Sequence, residues 1–138
     1  MIHHDTIENY IPQRKPMVMI DALVEVSSTR ATSSFVIKPG NIFVKNNVLS
    51  AEGLIENIAQ TAAAQNGSWF NQQQLPVPLG FIAALKDVTV FALPKVHTTL
   101  ATHIEIVNQV FDVTIVKGTC YEGSTLLLEL EMKIFITK

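Results

Sequence analysis

The chain has 138 residues, of which 48% are hydrophobic and 16% charged, and its formal net charge is −2. This length suits one domain over residues 1–138, and the composition is that of a chain with a packed core. The small net charge predicts no nucleic-acid partner, and no apolar run approaches the ~20 residues of a membrane-spanning helix. A lone cysteine, Cys120, and an N-terminus without a signal pattern favour a cytoplasmic location.

Two strands and one long helix are predicted in the first half of the chain. Residues 17–27 and 30–38 are rich in β-branched and apolar side chains and end at turn-forming residues, which predicts a hairpin. Ser50 is a good N-cap, and apolar residues recur after it at helical spacing to about Ser68. Gly67 is expected to end this helix. Because the helix is apolar nearly all round, we expect a sheet to engulf it.

The second half alternates with the period of two that is typical of β-strands. Four strands are predicted, over residues 80–91, 98–107, 110–121 and 125–136. Long strands joined by short turns pair in an antiparallel sheet. The predicted fold class is therefore α+β, with a curled antiparallel sheet wrapped around one long central helix.

Two segments of the chain, residues 11–21, IPQRKPMVMID, and residues 54–60, LIENIAQ, carry a resemblance to a known family. They are similar to the N-terminal pattern and to the helix motif of the β-hydroxyacyl-ACP dehydratases, with Gln13 in place of a histidine in the first. In the second, Glu56 falls on the family's catalytic carboxylate and Gln60 on its helical glutamine. The resemblance implies the hotdog fold, usually as a dimer whose sheets join edge to edge, with active sites at the subunit boundary.

The family's catalytic histidine is missing from this chain. Counting back from Glu56, its position falls on Ile42, and no histidine occurs between His4 and His97. Dehydration of a 3-hydroxyacyl thioester needs a base for the α-proton, an acid for the leaving hydroxyl and donors for the thioester oxygen. Half of the acid–base pair that the resemblance implies is therefore absent.

The remaining machinery is expected around the start of the helix. The resemblance implies that Glu56 is catalytic and that backbone amides near Ala51 and Glu52 hold the thioester oxygen, a role that suits a helix N-terminus. Gln60 lies one turn beyond Glu56 and is expected to orient the carboxylate, to bind the thioester or to serve as a structural amide. Asn57 is expected to face solvent or a dimer contact.

Three functions stay open at this stage. The first is a 3-hydroxyacyl-ACP dehydratase, a lyase of fatty acid or polyene-type synthesis. The second is a non-catalytic hotdog subunit that binds acyl chains or completes a heterodimer with an active dehydratase. The third is an acyl-thioesterase in which Glu56 activates water or attacks the thioester. Expected partners are acyl-ACP or acyl-CoA and a second hotdog subunit, in a homodimer or heterodimer. No cofactor is expected, and no metal, because no histidine pair shows metal-ligand spacing joined to other ligands.

Overall fold

The computed structural model describes residues 7–76 and 79–137, so His3, His4 and the N-terminal segment used to predict the location lie outside the described residues. Eight strands and one long helix follow one another within the described part of the chain. They are β1 (Ala22–Val26), β2 (Arg30–Val36), β3 (Val44–Lys45), β4 (Val48–Leu49), α1 (Ala51–Gln72), β5 (Leu79–Val90), β6 (Thr99–Val110), β7 (Val113–Glu122) and β8 (Thr125–Thr137).

Six of the strands form one antiparallel sheet in the order β1-β2-β6-β7-β8-β5, while β3 and β4 pair as a short hairpin ahead of the helix. The sheet is not closed: β1 and β5 form its two edges. The four strands predicted for the second half agree with β5 to β8 to within three residues. The first predicted strand begins five residues too early, because Met17 and Met19 are hydrogen-bonded to the helix. The α+β class, a curled sheet around one helix, is confirmed.

Helix α1 begins where the sequence predicts and ends later. The Ser50 hydroxyl accepts a hydrogen bond from the Gly53 N–H at 3.2 Å, which confirms the N-cap. The prediction that Gly67 ends the helix is wrong, because α1 runs for 22 residues and Gly67 is buried within it. A Cβ built at Gly67 would lie 2.1 Å from the Tyr10 carbonyl oxygen. Glycine at this position lets the N-terminal segment lie directly against the helix.

The core lies between α1 and the concave face of the sheet. A Cβ at Gly118 in β7 would lie 2.4 Å from Cγ2 of Ile58, so a glycine brings the sheet into close contact with the helix. Strand β8 alternates as predicted, with Leu128, Leu130 and Met132 inside. Within residues 7–76 and 79–137, no helix is long and apolar enough to cross a bilayer.

Candidate functional site

A cavity of about 270 Å³ lies between the helix and the sheet. Its lining is drawn from one face of α1 and from the concave face of β6, β7 and β8. The residues that line it from the helix are Glu56, Ala59, Ala62, Ala63, Gln65 and Asn66, and those from these strands are Ile104, Ile106, Gln109, Thr114, Val116, Ile134 and Ile136. The alanines leave the space open because their side chains end at Cβ. From Glu56 to Asn66 the helix rises about 15 Å, so the cavity is a slot along the helix with a carboxylate near one end.

Two further segments complete the walls of this slot. Tyr10, Pro12 and Gln13 come from the N-terminal segment, which lies against α1. Gly80, Phe81 and Ile82 come from β5, the strand at the edge of the sheet. The sequence suggested no role for Tyr10 or Gln13 in the site. The one available signal was that Gln13 departs from the family's N-terminal pattern.

Glu56 is half-buried in the wall of the cavity. Its Oε1 accepts a hydrogen bond of 2.8 Å from Nε2 of Gln60, one turn further along α1. This contact fixes the carboxylate against an otherwise largely apolar slot, where a charge or a proton acts on a bound molecule with less screening than in water. The sequence placed Glu56 and Gln60 on the same helix face, and the structure joins them directly.

Gln60 is fully buried, and its side-chain amide both accepts and donates hydrogen bonds. Its Oε1 accepts from the Met19 N–H at 2.6 Å, and its Nε2 donates to the Met17 carbonyl at 2.6 Å as well as to Glu56. Both protons of the amide group are therefore engaged within the chain. Of the expectations for Gln60, these contacts favour orientation of the carboxylate, while binding of the thioester stays a prediction.

The expectation for Asn57 is wrong, because this side chain is completely buried. Its Nδ2 donates to the Met19 carbonyl at 2.7 Å, and its Oδ1 accepts from the Thr102 hydroxyl on β6. Asn57 therefore ties the segment before β1, the helix and the sheet together. It stands next to Glu56 in the sequence but belongs to the core.

The predicted oxyanion amides lie at the first turn of α1. Ala51 is half-buried and Glu52 is exposed, and neither residue lines the cavity. The Gly53 N–H is already occupied by the Ser50 cap. The role of Ala51 and Glu52 in holding a carbonyl oxygen stays a prediction. Ile42, at the position of the family histidine, is 48% exposed on the loop that precedes the helix.

The downstream histidines and the cysteine take no part in the cavity. His97 and His103 are exposed, and Nδ1 of His103 lies 3.0 Å from the Thr32 hydroxyl on the outer face of the sheet. Cys120 is buried, and this burial raises the pKa of its thiol to about 11, an effect that the side-chain hydrogen bond with Thr102 partly offsets. Within the described residues no three His, Cys, Asp or Glu side chains converge, so the structure offers no constellation for a metal ion.

A family model described as ApeP-like, ApeP dehydratase, matches residues 5–136. The chain belongs to the ApeP-like dehydratase family. This match covers almost the whole chain, including the N-terminal segment, the Glu56 helix and the last strand. It confirms the resemblance to dehydratases. No curated protein sequence matches the chain.

Solved structures share the fold of this ApeP-like chain at low sequence identity. The dehydratase heterocomplex ApeI:P from Xenorhabdus doucetiae matches with a TM-score of 0.89 at 16% identity, covering 96% of this chain and 91% of that one. Cj0977, a sigma28-regulated virulence protein from Campylobacter jejuni, matches with a TM-score of 0.74 at 11% identity and 96% coverage of both chains. A hypothetical thioesterase with coenzyme A from Streptococcus pneumoniae gives 0.68 at 9% identity, covering 83% and 84%. Together they identify the hotdog fold.

Proposed function

We propose that this chain is the carboxylate-bearing subunit of a dehydratase that acts on 3-hydroxyacyl thioesters, of the kind used in fatty acid or polyene-type synthesis. The observation that carries the proposal is the placement of Glu56: a carboxylate in the wall of an acyl-sized slot, fixed by Gln60 at 2.8 Å. Membership of the ApeP-like dehydratase family supports the same reaction class.

We assign Glu56 to the protonation of the leaving β-hydroxyl. The acyl chain lies along the alanine face of α1, with its thioester end near Glu56. A base removes the α-proton, and an acid protonates the β-hydroxyl, which leaves as water and yields the 2-enoyl thioester. Glu56 is the group that we assign to the transfer of that second proton, and Gln60 holds the carboxyl group in place by a hydrogen bond to one oxygen.

The base is proposed to come from a partner hotdog subunit. Among the described residues that line the slot, none is a histidine, lysine or arginine. The neighbour from Xenorhabdus doucetiae is itself a dehydratase heterocomplex, which supports a second subunit. The absent histidine also supports the alternative that this chain only binds acyl chains or completes an active partner.

The edge of the sheet offers a surface for that partner. Strand β5 is 12 residues long, is exposed along its described length and ends the sheet. Its side chains Phe81, Ile82, Leu85, Val88 and Val90 are each at least 40% exposed. A long apolar edge strand is an aggregation hazard unless another chain covers it. Because Phe81 and Ile82 also line the slot, a subunit paired with β5 would adjoin the site.

An activity assay on purified chains tests the proposal. The chain is assayed alone and together with a histidine-bearing hotdog dehydratase subunit, on 3-hydroxyacyl thioesters of both ACP and coenzyme A. We expect the enoyl thioester to form only in the mixture, and Glu56→Gln to lower its rate about 100-fold or more, as loss of an acid–base group does. Glu129→Gln, at an exposed acid on β8, is the matched control and should leave the rate unchanged.

The other outcomes separate the alternatives. Full activity of the mixture that contains Glu56→Gln would indicate that this chain is a non-catalytic partner. Release of free thiol without enoyl product would indicate a thioesterase.

A further inference from the structure

The slot extends from Glu56 in one direction along the helix. Helix α1 lies wholly within the described residues, and each of its residues that lines the slot is Glu56 or follows it. Ala59, Ala63 and Asn66 come three, seven and ten residues after Glu56, a spacing that keeps them on one face of the helix. An acyl chain whose reacting carbons lie at Glu56 therefore enters the slot towards Asn66.

The contacts between α1 and β7 identify the strand residues at the far end of the slot. Gly118 lies against Ile58, because a Cβ built at Gly118 would lie 2.4 Å from Cγ2 of that residue. Val116 and Thr114 line the slot, and they lie about 7 and 13 Å from Gly118 along the strand. Since the slot runs towards the C-terminal end of α1, Thr114 lies at its far end.

This far end is more polar than the part of the slot beside the alanines. Nε2 of Gln109 on β6 donates to the Thr114 hydroxyl at 3.3 Å, and Asn66 adds an amide from α1. Ile134 and Ile136 of β8 keep one wall apolar. A carbon at this level therefore buries less of its surface against apolar atoms than a carbon beside the helix alanines, and it gains less free energy from burial.

The length and the volume of the slot give the same number of carbons. Along α1, Ala63 lies about 10 Å beyond Glu56, a distance that an extended alkyl chain crosses with about eight carbons. The cavity of about 270 Å³ holds about nine groups of the size of a methylene or a water molecule, at roughly 30 Å³ each. With the β-carbon at Glu56, both values place the last well-buried carbon at about the eleventh of the chain.

We propose that Ala59 and Ala63 are the specificity residues that admit the acyl chain, and that the slot takes chains of up to about eleven carbons. Each alanine leaves the slot open at its own level, about 4.5 and 10.5 Å beyond Glu56. The inference rests on the proposed function, because it takes the slot to be the acyl site. It narrows the substrate class to thioesters of short and medium chain length.

Calorimetric titration of the full chain with saturated acyl-CoA thioesters, from butanoyl-CoA to tetradecanoyl-CoA, tests this inference. For the unaltered chain we expect the affinity to rise about tenfold with each added pair of carbons, at about three- to fourfold for each buried methylene. The rise should level off between decanoyl-CoA and dodecanoyl-CoA. Ala63→Leu should end it near octanoyl-CoA and Ala59→Leu near butanoyl-CoA, since a leucine on a helix also covers part of the preceding turn. Ala92→Leu, at an exposed alanine after β5, is the matched control and should leave the series unchanged.

Butanoyl-CoA and thermal unfolding show whether the variants keep their fold. Both leucines fill open space, so Tm should not fall and butanoyl-CoA should bind all variants alike. A variant that fails this check is replaced by the smaller change to valine at the same position.

The order of the chain-length limits decides the outcome. A rise that continues to tetradecanoyl-CoA in the unaltered chain overturns the inference and leaves the proposed function standing, as does an equal limit in Ala59→Leu and Ala63→Leu. Failure of every thioester to bind the unaltered chain overturns the proposed function as well.

Discussion

The amide of Gln60 makes three hydrogen bonds from a fully buried position, so its loss gives the sharpest prediction for the stability of the fold. The substitution Gln60→Leu keeps the approximate size of the side chain and removes all three bonds. It releases the segment before β1 from the helix and leaves Glu56 without its fixed contact.

The magnitude follows from the partners that are left behind. Met19 is completely buried, so its N–H loses its acceptor with no access to water, which costs about 1–3 kcal/mol. Met17 is 39% exposed, so its carbonyl can be hydrated instead and loses about 1 kcal/mol or less. Glu56 is half-buried and regains water in the same way. We expect a total loss of roughly 2–4 kcal/mol in the free energy of unfolding.

Chemical denaturation followed by circular dichroism measures this loss, with Gln72→Leu as the exposed glutamine control. The control should change the free energy of unfolding by less than about 0.5 kcal/mol. If Gln60→Leu were as stable as Gln72→Leu, the hydrogen bonds of Gln60 with Met17 and Met19 would contribute nothing to the stability of the fold. The account of how Glu56 is positioned would then be wrong.

Two other predictions concern stability and reactivity. Gly67→Ala should destabilise the chain by about 1–3 kcal/mol because its Cβ would lie 2.1 Å from the Tyr10 carbonyl oxygen, whereas Gly40→Ala, with no atom within 4 Å, should be nearly neutral in the same denaturation experiment. Equal effects of the two substitutions would contradict the close approach. Cys120 has its pKa raised from 9.0 to about 11, so its thiol should react with a disulfide reagent at pH 8 only after unfolding. The folded state keeps this proton up to a higher pH than the unfolded state does. The contribution of Cys120 to the free energy of unfolding is therefore fully present below pH 9 and is lost as the pH rises to about 11, and Cys120→Ala should remove this pH dependence.

The sequence predicted the parts of the site that depend on local periodicity. Glu56 and Gln60 are four residues apart on one helix, and that spacing alone places them on one face. The Ser50 cap, the beginning of α1 and the alternation along β8 are local patterns of the same kind. The α+β class followed from the order of these elements.

The errors arose where residues distant in the sequence decide the outcome. Asn57 is polar and adjacent to Glu56, so its pattern indicated an outward position, yet Met19 and Thr102 satisfy it inside the core. Gly67 resembles a helix terminator, but the close approach of Tyr10 explains the glycine. Helical periodicity contains no information about either partner.

The most direct measurement is a crystal structure of the chain, with its partner subunit, bound to a 3-hydroxyacyl-pantetheine amide that mimics the thioester. The account predicts that the acyl chain lies along Ala59, Ala62 and Ala63, with its β-hydroxyl within hydrogen-bond distance of the Glu56 carboxylate. An acyl chain bound elsewhere, or a β-hydroxyl out of reach of Glu56, would contradict it.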